Sequence, residues 1–331
     1  PTARPLPTES SARRPPGSRA DPTSPPTPRL PARAPGTLPA MSRCVTAPRQ
    51  ILPGTCYLVS RRCTQRQLLL RPGRLVNEVF RYLLALAAER HGIRIHAFCV
   101  LSNHYHLILT DPHARLPAFG QLLDALVARA LNTGLGRSES FWAPNSYSAV
   151  ALAAPEDILS KAAYVLANPV AAGLVRSGRE WPGLWSGPER VGTTIVAPRP
   201  KQFFSPKGQL PESVALELTA PPGFASAEDF ARALRGALAE REEIERQGRS
   251  FLGVARVLAQ RPTARPISAE PRGGLNPRVA ARDKWKRIEV LRRLSDFLAA
   301  YREALAAWMR DDPKVLFPAG TYQMRVLHGT P

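Results

Sequence analysis

The sequence predicts an α+β fold in which one antiparallel sheet carries helices on one face, followed by a helical C-terminal region. Three observations predict it. Between residues 56 and 167 the strand-like and helix-like segments follow the order β-α-β-β-α-β-α. Two apolar segments, 93–101 and 104–110, are separated only by Ser102-Asn103, so they should pair as a hairpin. Apolar residues make up 44% of 331, enough for one good core and a second, smaller domain.

Each element follows from its local pattern. Cys56–Val59 is β-prone and comes after the turn signal Pro53-Gly54. Apolar side chains at 75, 76, 79, 80, 83, 84 and 87 have amphipathic helix spacing over 74–90, and Gly92 ends that helix. Residues 93–101 alternate and then become wholly apolar, which reads as a strand, and 104–110 form its partner. Residues 116–132 read as helix and 146–152 as strand. A further helix over 155–167 opens with Pro155 and the acidic pair Glu156-Asp157. Residues 176–222 are rich in Gly and Pro and read as a connector. Ser226 with Asp229 resembles a capping box, and Asn276-Pro277 reads as the start of a long helix to about Met309. On that helix Arg278, Arg282 and Lys286 would form a basic row, readable as a nucleic-acid contact or as a solvated face. The opposing stripe of Trp285, Ile288, Leu291, Leu298, Tyr301, Leu305 and Trp308 reads as core packing.

Charge narrows the partners. Lys and Arg number 46 against 26 Asp and Glu, a net +20, and a field of that sign attracts polyanions. Charge alone does not separate DNA from RNA. The four cysteines have no metal or disulfide spacing, so a reducing cytoplasm is expected. No stretch is long and apolar enough for a membrane helix, and no membrane partner is expected. Residues 1–40 hold 12 prolines and few large apolar residues, which predicts disorder. Met41 opens the first foldable sequence and is the expected working start.

Six histidines occur, and two form His104-Tyr105-His106. On a strand these two project to one face, where paired imidazoles can bind a divalent ion. Taken alone they read equally well as core or surface histidines. Tyr164 and Asn168 lie four apart and so share a helical face, where an amide oxygen one turn from a tyrosine can complete a metal site. Taken alone they also read as a core tyrosine before a helix-ending Asn-Pro.

Together the two segments carry a resemblance. Phe98–Leu109 (Phe-Cys-Val-Leu-Ser-Asn-His-Tyr-His-Leu-Ile-Leu) resembles the HUH strand of the REP-associated tyrosine transposases, relatives of the single-tyrosine transposases of the smallest bacterial insertion sequences. Tyr164–Val175 resembles that family's tyrosine helix and the Asn-Pro-Val turn after it. Trp181-Pro182 and Trp185-Ser186 are similar to the segment that follows. The resemblance spans about residues 50–190. It implies a ferredoxin-like, RNA-recognition-like core and a catalytic domain over 41–190; composition and pattern add a linker over 191–222 and a helical region over 223–331. It implies His104 and His106 as metal ligands, Asn168 as the third ligand, Tyr164 as nucleophile and Mg²⁺ or Mn²⁺ as cofactor. The implied partner is single-stranded DNA beside a hairpin, in a bacterial, nucleoid-associated cytoplasmic setting; a homodimer is among the allowed assemblies. Two departures stand out: Tyr105 replaces the usual aliphatic residue, and Ala143-Pro144-Asn145 stands where the family often has a basic residue. The alternative reading is a domesticated DNA- or RNA-binding protein that keeps the fold without transposition.

Overall fold

A computed structural model describes residues 48–202, 204–205, 208–266, 277–310, 312 and 314–329, and the statements below concern these. Residues 1–40, Met41 and Asn276, on which expectations above fell, lie outside them. In chain order the elements are β1 (Thr55–Arg62), α1 (Arg74–His91), β2 (Arg94–Val100), β3 (His104–Asp111), α2 (Leu116–Gly134), β4 (Ser148–Leu152), α3 (Pro155–Ala171), β5 (Thr194–Pro198), β6 (Ser213–Glu217), α4 (Ala227–Arg246), α5 (Val254–Ala259), β7 (Val279–Ala280), α6 (Lys284–Trp308) and α7 (Tyr322–His328).

The main sheet has the order β2-β3-β1-β4-β7, antiparallel except for the parallel β4–β7 pair at its edge. The first four strands with α1 and α2 give the β-α-β-β-α-β sequence of a ferredoxin-like plan. Gly92 closes α1 in the left-handed region at φ 66°, as its sequence position predicts.

Alternation along the strands makes two cores. Tyr57, Val59, Leu107 and Leu109 pack with α1 and α2 on one face. Cys56, Leu58, Cys99 and Ile108 pack with α3 and α4 on the other. The sequence plan placed helices on one face; α1 and α2 lie there, and α3 with α4 covers the second. The reason is visible in β2, whose residues after Arg94 are all buried, as expected of a strand covered on both sides.

Three elements differ from expectation. Residues 191–222, read as a connector, hold the β5–β6 hairpin, and Ala197, Val214, Leu216 and Leu218 enter the α1–α2 core. Its short alternating runs were masked by the surrounding Gly and Pro. Helix α3 continues through Pro169 to Ala171 rather than ending at Asn168, because proline in the last turn removes a single backbone donor. The long C-terminal helix starts at Lys284, with Asp283 accepting from Lys286 N, while Val279–Ala280 pair with β4. Arg278 and Arg282 therefore do not share a helix with Lys286. The apolar stripe is split accordingly. Tyr301, Leu305 and Trp308 pack on Phe317 and Met324, whereas Trp285 is 73% exposed and Ile288 and Leu291 are about half exposed.

Candidate active site

His104 and His106 lie on β3 with ring centroids 4.8 Å apart. Tyr105, between them, points to the α1–α2 face. There it is fully buried against Phe80 and Trp142, and its hydroxyl donates to Asp124 Oδ1 at 2.8 Å. The bulky residue between the histidines is thus a core residue with a satisfied hydroxyl.

His104 Nδ1 donates to Asn103 Oδ1 at 2.7 Å, and Asn103 Nδ2 donates to the Arg66 carbonyl at 3.3 Å. This fixes the ring and leaves the Nε2 lone pair as an open donor site. His106 is 8% exposed, and its buried Nδ1 has no hydrogen-bond partner among the described residues. Burial pushes the His106 imidazole down to about 4, with Arg62 adding to the effect. Burial also holds His104 well below the usual histidine value, helped by His106, Arg62 and Arg66. Both rings are therefore neutral at pH 7, the form that ligates metals. An orphaned buried nitrogen beside an oriented, neutral imidazole fits a divalent ion.

Helix α3 brings Tyr164 to the same place. Its ring centroid lies 5.8 Å from that of His106 in an edge-to-face arrangement. One turn on, Asn168 is buried and its Nδ2 donates to the Tyr164 carbonyl at 2.9 Å, which leaves Oδ1 as an acceptor. Among the described residues no group of three His, Cys, Asp or Glu is arranged to hold a metal ion. Cations flank the tyrosine: Lys161 Nζ lies 5.6 Å and the Arg241 guanidinium 5.7 Å from the ring centroid.

The Trp181–Ser186 segment locks this geometry. Trp185 Nε1 donates to Leu166 O and Trp181 Nε1 to Val100 O, both at 2.9 Å. Leu184 O accepts from Val100 N, and Ser186 bonds Phe98 through backbone and hydroxyl, so the segment runs along the β2 edge. A Cβ at Gly183 would strike the Trp181 indole and come 3.0 Å from Val100 O, so only glycine permits this approach.

The structure thus gathers His104, His106 and Tyr164, with Asn168 on the same helix as the tyrosine. Of the basic row, Arg282 lines a pocket beside the tyrosine helix with Arg241, Ser160 and Ala163, while Lys286 lies in the first turn of α6. Arg278 sits beside β4, and Arg282 N donates to Asp157 Oδ1 at 2.7 Å. Sequence reasoning missed Asn103, Arg62, Arg66, Lys161 and Arg241. Lys161 was findable, being three residues before Tyr164 on a helix. Arg62 and Arg66 needed the β1–β3 register, which places Arg62 opposite His104. Arg241 had no local signal, because only the packing of α4 on α3 brings it close. Another missed group is His96, buried and neutral at a bulge in β2; burial lowers it to about 4, and it bonds Thr219 O and the Thr110 hydroxyl.

No protein-family model and no curated protein matches the chain. Solved structures similar to part of it include these two. One is a REP-associated tyrosine transposase bound to a REP hairpin, 19% identical over 46% of this chain and 86% of that chain, with a TM-score of 0.37. The other is described as a “putative transposase” from Deinococcus radiodurans R1, 19% identical over 32% of this chain and 85% of that chain, with a TM-score of 0.26. At these TM-scores neither bears on what this chain does.

Proposed function

We propose that this chain is a single-tyrosine transposase of the HUH class, which cuts and rejoins single-stranded DNA beside a hairpin. The observation that carries the reading is the approach of Tyr164 to His106, with His104 alongside, on one sheet face. These are three of the four side chains that the motif resemblance singled out.

His104, His106 and the Asn168 amide oxygen would hold Mg²⁺ or Mn²⁺. Such an ion, when bound, polarises a phosphate and offsets the charge that builds up on it. The chain's own groups do the rest. The Tyr164 phenol gives up its proton and its oxygen bonds phosphorus. The bond from phosphorus to the 3′ oxygen breaks, and that oxygen takes a proton. The product is a 5′-phosphotyrosine and a free 3′-hydroxyl; attack by a 3′-hydroxyl reverses the step without ATP. Lys161 and Arg241 beside the ring supply positive charge where the phosphate must sit. Asn103 keeps His104 in the tautomer that leaves Nε2 free.

The test is a denaturing gel with a labelled single-stranded hairpin oligonucleotide. Wild-type protein should form a covalent adduct that EDTA suppresses. Tyr164→Phe should form none while binding the hairpin with similar affinity, because it removes one oxygen and no charge. An adduct that survives in Tyr164→Phe would move the nucleophile elsewhere, and full activity in EDTA would return both histidines to a structural role.

A further inference from the structure

The first half of α6 is exposed, and its apolar residues are aligned rather than scattered. Trp285 is 73% exposed, Ile288 47% and Leu291 50%, and their spacing of three sets them along one strip of the helix. Of the five tryptophans, Trp142 and Trp181 are buried and Trp185 and Trp308 are half-buried, so Trp285 alone presents its ring to solvent. Lys284 Nζ lies 5.8 Å from the Trp285 ring centroid, a cation–π contact that occupies one face of the indole.

Cations border the strip. Lys284 and Arg292 lie one turn to either side of Ile288, and Arg287 lies one turn before Leu291. No ion pair among the described residues engages these three. Over residues 283–296 five cations stand against three carboxylates. Asp283 accepts from Lys286 N as the helix cap, Glu289 pairs with Arg293, and Asp296 lies one turn beyond Arg292 without an ion pair to it. An exposed indole edged by unpaired cations meets both needs of a single strand, whose bases stack while its phosphates seek positive charge. A second copy of this face would set cation against cation. A membrane surface calls for an apolar face along the whole helix, whereas here Ser295 follows Leu291 on the strip. The start of α6 is also tied to the tyrosine helix. Arg282 N donates to Asp157 Oδ1 in the first turn of α3, and Arg282 lines the pocket between α3 and α4 with Arg241. Trp285 follows three residues later, within about 11 Å of chain.

We infer that the exposed first half of α6 docks single-stranded nucleic acid, with a base stacked on Trp285 and phosphates on Lys284, Arg287 and Arg292. The inference rests on the transposase reading only in taking that strand to be DNA.

Fluorescence anisotropy of the full chain with a labelled, unstructured single-stranded DNA oligonucleotide, and with an abasic strand of the same length, tests it. Both titrations run in the Tyr164→Phe background, so binding is read without cleavage and a failure of the tyrosine chemistry leaves the result intact. Trp285→Ala should weaken the base-bearing strand by about fivefold or more and leave the abasic strand unchanged. Trp285→Phe, which keeps a ring, should restore most of the affinity. Changing Lys284, Arg287 and Arg292 together to Gln should weaken both strands and lower the slope of log affinity against log salt by about 0.7 per lost contact. Unchanged affinity for the base-bearing strand in Trp285→Ala, or an equal loss for both strands, would overturn the inference. So would an effect of Trp285→Ala confined to self-association in sedimentation or to binding of anionic lipid vesicles. Thermal melts verify folding, and Trp285→Gln replaces Trp285→Ala if that variant does not fold.

Discussion

Asp124 couples the core behind the histidines to pH in a direction opposite to most carboxylates. Its Oδ1 accepts from the Tyr105 hydroxyl at 2.8 Å, and its Oδ2 lies 3.2 Å from Arg61 Nη1. Despite these partners, burial pushes its carboxyl up to about 6. An unfolded chain would titrate the same group near 3.9. Between about pH 4 and 6 the folded state therefore holds the proton more tightly, so this group's stabilisation falls as pH rises through that window. Two units of difference correspond to about 3 kcal/mol, present below the unfolded value and lost above about pH 6. Asp124→Asn keeps an acceptor for Tyr105 and cannot ionise. Urea unfolding of both proteins at fixed salt, from about pH 4 to 7.5, gives the stability difference between them. That difference should shift toward the variant by about 3 kcal/mol across the window, whatever constant offset the lost Arg61 pair contributes. A difference that stays flat with pH would show that Asp124 is solvated in the folded chain and refute the reasoning.

Other outcomes follow from the site. His104→Ala with His106→Ala should lose adduct formation and also the rise in melting temperature that Mn²⁺ gives the wild type; a retained Mn²⁺ shift would place the ion elsewhere. Arg241→Gln should slow adduct formation about tenfold, while stability changes by less than about 1 kcal/mol, because its partly buried partner Glu245 keeps a second cation in Arg249; an unchanged rate would reduce Arg241 to packing. Trp185→Phe keeps most of the partly buried ring but loses the bond to Leu166 O. It should cost about 1–2 kcal/mol in chemical denaturation and lower the adduct yield by loosening α3.

Pattern carried much of the core into view: α1 to α3 follow apolar helical spacing, while β2 and β3 are buried almost throughout, as strands covered on both faces are. The His104–His106 pair and Tyr164 were legible because strand and helix spacing put each set on a known face. What stayed hidden depended on tertiary placement. The β5–β6 hairpin owes its burial to α1, and its five-residue strands sit among prolines that advertise a loop. Trp285, Ile288 and Leu291 repeat like core residues yet face solvent, because periodicity reports which side of a helix is apolar and not what covers it. Arg278 looked like the first residue of a helical row; its backbone carbonyl instead accepts from Ala151 N at the sheet edge.

The C-terminal region matters to the tyrosine helix for a reason of hydrogen bonding. A helix end leaves carbonyls without partners, and Pro169 removes one more backbone donor near that end. Arg249 Nη1 donates to Ala171 O at 2.6 Å, and Leu252 N and Gly253 N donate to Gly173 O and Leu174 O at 2.9 Å each. Glu242 Oε1 accepts from Gly178 N at 2.7 Å, while Phe230, Leu234 and Leu238 bury the outer face of α3. Residues 227–253 therefore finish α3, fix its tilt over β3 and deliver Arg241 to Tyr164. The ferredoxin-like core supplies the histidines, but the tyrosine is aimed by helices that the core does not contain.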